Sequence, residues 1–126
     1  MIVGIGIDIV RNDRIKRATE IWGERFLNRI YTSREQEYCR RRSKAYLHFG
    51  ARFAVKEAMI KAAGTVRPNG IQWKDIEIEN LESGQPVVRV TGRFEKILLQ
   101  KHVDHIHVSM SHDNGYAVGQ VVLESR

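Results

Sequence analysis

The sequence predicts an α+β fold: a single small domain over residues 1–126, with an antiparallel sheet packed on a long central helix. Three observations predict it. An alternating apolar strand opens the chain, helical signals run through residue 63, and strand and turn signals dominate after Gly70. At 126 residues the chain suits one modest core that removes roughly two-thirds of the unfolded surface from water.

The first element is a strand over Ile2–Val10. Its two-residue period puts Val3, Ile5, Ile7 and Ile9 on one face, expected to be core, and Gly4, Gly6 and Asp8 on the other. Asn12 and Asp13 can cap a helix running to about Glu20, and a short helix covers Glu24–Ile30. Thr32-Ser-Arg-Glu35 has the spacing of a capping box for a third helix. Arg40–Lys44 then forms a basic link or helix end.

The long helix is expected from about Ala45 to Ala63. At roughly 100° per residue, Leu47, Ala51, Ala54, Val55, Ala58 and Ala62 form its packing stripe, with Glu57 and Lys61 on the stripe's margin and Lys56 opposite it in solvent. Gly64 supplies a left-handed C-cap, and Arg67-Pro-Asn-Gly70 is turn chemistry. Strands follow at Trp73–Glu79 and Val87–Thr91, around a turn at Glu82–Pro86, and a short amphipathic helix spans Arg93–Lys101. The chain closes with strands His105–Ser111 and Tyr116–Leu123 around the turn Asp113-Asn-Gly115. There is no internal repeat and no low-complexity segment.

Composition narrows the function classes. No run of about 18 apolar residues and no leader with a small-residue cleavage site occurs, so a cytoplasmic protein with no membrane span is expected. The single cysteine, Cys39, has no disulfide partner and no CxxC companion, as suits a reducing compartment. The net charge of +6 is uneven: residues 1–63 carry 14 Lys and Arg against 7 Asp and Glu, whereas residues 64–126 carry 7 against 8. A basic first half favours an anionic partner, whether nucleic acid, acidic protein or polyphosphate.

Chemistry gathers around Asp8, Glu57 and Lys61. As a Glu-to-Lys (i, i+4) pair on a helix, Glu57 and Lys61 could be a plain surface contact of about 0.2–0.5 kcal/mol. Their place beside the apolar stripe, and a carboxylate on an otherwise apolar strand, point further. Asp8 is costly to bury unless hydrogen-bonded, paired or bound to a cation, and its neighbouring glycines leave room beside it. If the strand packs beside the long helix, Asp8 and Glu57 offer two hard oxygen ligands of the kind magnesium takes together with phosphate oxygens, and Lys61 faces those phosphates. The histidines offer no comparable set. His105 and His107 share a strand face, with His102 and His112 nearby in sequence, but zinc needs three or four converging ligands.

Three segments, GIGIDIV, ARFAVKEAMIKAAGT and HVSMSHDNGYAVGQVVLE, together resemble the short group of the 4′-phosphopantetheinyl transferases, the holo-(acyl-carrier-protein) synthases. The resemblance spans nearly the whole chain, with the blocks in the family's order and spacing. It implies magnesium-dependent transfer of 4′-phosphopantetheine from coenzyme A to a serine of apo acyl carrier protein, in support of fatty acid biosynthesis, with release of adenosine 3′,5′-bisphosphate. It assigns Asp8 and Glu57 to the metal and aligns the family's next lysine with Lys61. The proton acceptor for the serine is Glu57 or a water oriented by Asp8 or Glu57.

By the same resemblance Lys44, Arg52, the Gly64-Thr65 turn, His107, Ser109 and Ser111 are candidates for holding coenzyme A. Arg14, Arg17 and Arg25 are candidates for meeting the acidic carrier protein, Arg14 and Arg25 foremost. Family members of this length assemble as homotrimers with the active site between subunits, which composition alone does not show. The alternative from another class is a small basic nucleic-acid-binding module, which accounts for the arginines and leaves Asp8 unexplained. The enzyme reading therefore expects no nucleic acid among the partners.

Overall fold

The computed structural model describes residues 1–65 and 70–126, so the turn expected at 67–70 lies, Gly70 apart, outside the described residues. Strand β1 (Ile2–Arg11) leads into three helices, α1 (Asn12–Trp22), α2 (Glu24–Ile30) and α3 (Ser33–Arg40). The long helix α4 (Ala45–Ala62) follows, then a 3-10 turn (Trp73–Asp75), strands β2 (Ile76–Asn80) and β3 (Pro86–Val90), helix α5 (Gly92–Gln100), and strands β4 (His105–Asp113) and β5 (Tyr116–Glu124). The α+β class holds, and all strand pairs are antiparallel: a three-stranded sheet in the order β1-β5-β4 and a separate β2-β3 ribbon.

Local chemistry explains most boundaries. Thr32 completes the expected capping box, its hydroxyl accepting from the Glu35 N–H at 3.3 Å while Glu35 Oε1 accepts from the Thr32 N–H at 3.0 Å. Helix α4 ends in a Schellman motif on Gly64 (φ +67°): the Gly64 N–H reaches the Lys61 carbonyl at 3.0 Å and the Thr65 N–H the Ile60 carbonyl at 3.4 Å. Asn114 (φ +53°) and Gly115 (φ +85°) form the tight turn between β4 and β5. Asn12 and Asp13 do not cap α1 as expected. Arg11 is the N-cap residue, without a side-chain cap bond, and Asn12 lies inside the helix with its side chain buried. Trp73–Asp75, expected as strand, makes a 3-10 turn that buries Trp73 against Phe53, with ring centroids 5.2 Å apart.

The faces of β1 are the reverse of the expectation. Ile5, Ile7 and Ile9 are 59%, 57% and 61% exposed, whereas the glycine face packs on α4. The physical reason is close approach of backbones. A Cβ at Gly4 or Gly6 would run into the Ala62 or Ala58 carbonyl of α4, and one at Gly119 of β5 would sit 2.5 Å from the Val55 nitrogen. Glycine on the strands and alanine on the helix let the sheet lie directly on α4, and the bulky isoleucines turn outward.

Lys56 is likewise not in solvent. Helix α4 is buried on both sides, by the sheet on one and by α3, the 3-10 turn and β2 on the other, and this second layer closes over Lys56 and Arg52, both 0% exposed. Lys56 Nζ lies 2.8 Å from Glu35 Oε1 and donates to the carbonyls of Ile30, Trp73 and Ile76 at 2.8, 3.1 and 2.6 Å. Burial pulls the amine below its usual pKa, and Glu35 pulls it back. Glu35 Oε2 also accepts from the Ile78 N–H at 3.0 Å, so one ion pair ties α3, α4 and β2 together.

Candidate active site

Gly6 lies over Ala58, and Asp8, two residues further along the same face of β1, comes level with the margin of α4 that carries Glu57 and Lys61. Lys61 Nζ sits 3.0 Å from Asp8 Oδ1 and donates to the Ile7 carbonyl at 3.0 Å. Asp8 is mostly covered, its side chain 20% exposed, while that of Lys61 is 53% exposed. Glu57 is half-buried one helical turn before Lys61 on the same margin. The strand and the helix therefore bring Asp8 and Lys61 into contact, with Glu57 one helical turn before Lys61 on the same margin of α4. Two carboxylates and an ammonium at an open margin can hold a divalent cation and a phosphate group together. The donor set fits magnesium, and the ammonium already resting on Asp8 shows that this carboxylate accommodates a cation.

The candidates for coenzyme A divide into two groups. Gly64 and Thr65 stand at the C-terminal end of α4, next to Lys61, whereas Lys44 is the N-cap residue, separated from Gly64 by about 30 Å of helix. Arg52 lies on the opposite side of α4 from Lys61, since nine residues at about 100° make a half-turn. Its Nη2 donates to Asn80 Oδ1 at 2.7 Å and its guanidinium carbon lies 4.3 Å from the centre of the Tyr38 ring, but Nε and Nη1 are buried without partners. Beside Tyr38 and Asn80 opens a cleft of about 200 Å³ lined also by His48, Pro86, Ser111 and His112. Burial, and then the positive charge of Arg52, Arg42 and His112, hold the His48 pKa below its usual value. His107 and Ser109 are exposed with Ser111 on the outer face of β4, in line with Val122, Gln120 and Val118 of β5 and Ile5, Ile7 and Ile9 of β1. His107 Nε2 lies 2.9 Å from Glu124 Oε1.

Arg14, Arg17 and Arg25 are all exposed on α1 and α2. Sequence reasoning missed the apolar surface beside them. Val10, Arg14, Ile15, Ala18, Phe26 and Phe53 line a notch of about 110 Å³, and Ile21 and Trp22 are 65% and 62% exposed at the end of α1. The signal was present in the spacing, because Arg14, Arg17 and Ile21 fall on one helical face at intervals of three and four. Also missed were His48, Tyr38 and Asn80, whose proximity depends on β2 and β4 meeting α3 and α4. Among the described residues no group of three or more His, Cys, Asp or Glu could hold a metal by itself, so a phosphate and solvent would have to complete the coordination at Asp8 and Glu57.

A small antiparallel sheet lies on a long helix, with a carboxylate–lysine contact at their junction, and this compact α+β arrangement has known relatives. Residues 4–121 match the model of the 4′-phosphopantetheinyl transferase superfamily, and the chain belongs to that family. Its relatives include the holo-(acyl-carrier-protein) synthases of Trichlorobacter lovleyi, 42% identical over 125 residues and 99% of each chain, and of Halothermothrix orenii, 43% identical over 124 residues and 98% of each chain. Among solved structures, the holo-(acyl-carrier-protein) synthase from Neisseria meningitidis matches with a TM-score of 0.90 and 32% identity, over 99% of this chain and all of that one. The Bacillus anthracis enzyme, solved in complex with CoA (3′,5′-ADP), matches with a TM-score of 0.82 and 35% identity, over all of this chain and 99% of that one.

Proposed function

We propose that this protein is a cytoplasmic holo-(acyl-carrier-protein) synthase that transfers 4′-phosphopantetheine from coenzyme A to a serine of apo acyl carrier protein and releases adenosine 3′,5′-bisphosphate, in support of fatty acid biosynthesis. The observation that carries the reading is the junction of Asp8, Glu57 and Lys61, in a chain of this family. Asp8 and Glu57 would hold magnesium, which when bound supplies positive charge against the pyrophosphate oxygens. Lys61, on a flexible stem at the open margin, turns its ammonium to the same phosphates and stabilises the charge that grows on the leaving phosphate. Glu57, or a water it orients, takes the serine proton as the oxygen attacks the β-phosphorus.

The nucleotide end suits the cleft near Arg52. Arg52 is fully buried, but its guanidinium lies against Asn80 and Tyr38, which line the cleft, and its charge favours an anion such as the 3′-phosphate there. Because Arg52 and Lys61 lie on opposite sides of α4, a single molecule of coenzyme A reaches both kinds of residue more readily across two chains than within one. The exposed isoleucines of β1 provide the surface for such an assembly, and a homotrimer with its active sites between subunits accounts for both features. The acidic carrier protein fits the Arg14, Arg17 and Arg25 surface and its apolar notch.

The test is Glu57→Gln. It keeps the size of the side chain and removes its charge, so transfer should fall by at least 100-fold with the circular dichroism spectrum unchanged. Near-normal turnover would remove Glu57 from the mechanism.

A further inference from the structure

The Asp8 carboxylate already carries a cation, and that cation belongs to the chain. Lys61 Nζ makes two contacts of 3.0 Å, to Asp8 Oδ1 and to the Ile7 carbonyl, so two hard oxygens of β1 hold the ammonium. Asp8 is well covered and Lys61 is half exposed. The carboxylate is therefore fixed, while the lysine, at the last turn of α4 on a four-carbon stem, is free to swing. An ammonium and a divalent cation compete for the same carboxylate oxygens, and they cannot share Oδ1 at hydrogen-bonding distance without strong repulsion.

We propose that Lys61 is a placeholder cation: in the protein free of coenzyme A it occupies the cation position on Asp8, and it gives up that position when the pyrophosphate of coenzyme A arrives to receive its ammonium. The proposal rests on the functional reading above and deepens it. One lysine would then guard the site against cations when no substrate is present and stabilise the phosphates when substrate binds. The consequence is a coupling: coenzyme A draws Lys61 away and so raises affinity for the divalent ion, and by linkage the ion raises affinity for coenzyme A by the same factor.

The experiment measures Mn2+ binding by electron paramagnetic resonance, on wild type and Lys61→Ala, with and without saturating coenzyme A and corrected for Mn2+ bound to coenzyme A in solution. Lys61→Gln serves as a second, more conservative variant. In the protein alone, the variants should bind Mn2+ about two- to fivefold tighter than wild type, the upper part of the range expected when a partly exposed ion pair is the competitor. With coenzyme A that advantage should vanish or reverse, because Lys61 of the wild type has left Asp8. Equal Mn2+ affinity of wild type and variants in the absence of coenzyme A would overturn the proposal. So would an equal gain with and without it, the mark of a distant charge rather than an exchange. If no protein binds Mn2+ even with coenzyme A, the proposal falls together with the metal assignment; if transfer is intact and only the coupling is missing, the proposal falls alone.

Discussion

Two lysines in α4 show how differently one residue type is used. Lys61 rests on Asp8 at an open margin, while Lys56 is sealed inside with Glu35. The sequence placed Lys61 beside Glu57 and Asp8 through helical spacing and the oddity of an aspartate on an apolar strand. It placed Lys56 in solvent because a helical wheel records one packing stripe and does not show a second layer on the far side. Glu35 accounts for that second layer. Glu35→Gln removes the carboxylate that pairs with the buried Lys56 ammonium, and breaking such a pair costs about 3–5 kcal/mol. Thermal denaturation should fall by roughly 15 °C for a chain of this size. A shift within 2 °C would mean that the three carbonyls around Lys56 suffice by themselves.

Among the elements, β1 and α4 determine the site. The glycines of β1 and the alanines of α4 are small for a shared reason, which is that strand and helix backbones nearly touch. That contact carries Asp8 to Lys61. The sequence displayed both sets of small residues, yet hydrophobicity favours the isoleucine face as core, because alternation alone does not say which face is covered. Gly6→Ala tests the observed arrangement. Its methyl group meets the Ala58 carbonyl, so it should destabilise the protein by about 1–3 kcal/mol, the usual cost of overpacking, and lower activity further by lifting Asp8 from the helix. Unchanged stability in a denaturant titration would mean that β1 does not lie on α4 as described.

For the whole molecule, charge and exposed apolar surface were legible to different degrees. The basic excess of residues 1–63 was visible in the sequence, and Arg14, Arg17 and Arg25 within it are exposed. Charge reversal at Arg14 should slow association with an acidic carrier protein and flatten its salt dependence while leaving coenzyme A binding intact, as stopped-flow measurements at several ionic strengths would show. The exposed row Ile5, Ile7 and Ile9 could not be foreseen from one chain's pattern, because it has the composition of a core. If this row is the interface of the proposed homotrimer, Ile7→Asp should give a monomer in sedimentation and abolish transfer with Asp8, Glu57 and Lys61 all present. A fully active monomer would refute a site shared between subunits.

The most direct test of the central claim is the intact mass of a purified apo acyl carrier protein after incubation with this protein, coenzyme A and magnesium, run alongside a chelator control and Glu57→Gln. The account predicts a gain of one phosphopantetheine that both controls abolish. No gain with several carrier proteins, or a gain indifferent to the chelator and to Glu57, would contradict it.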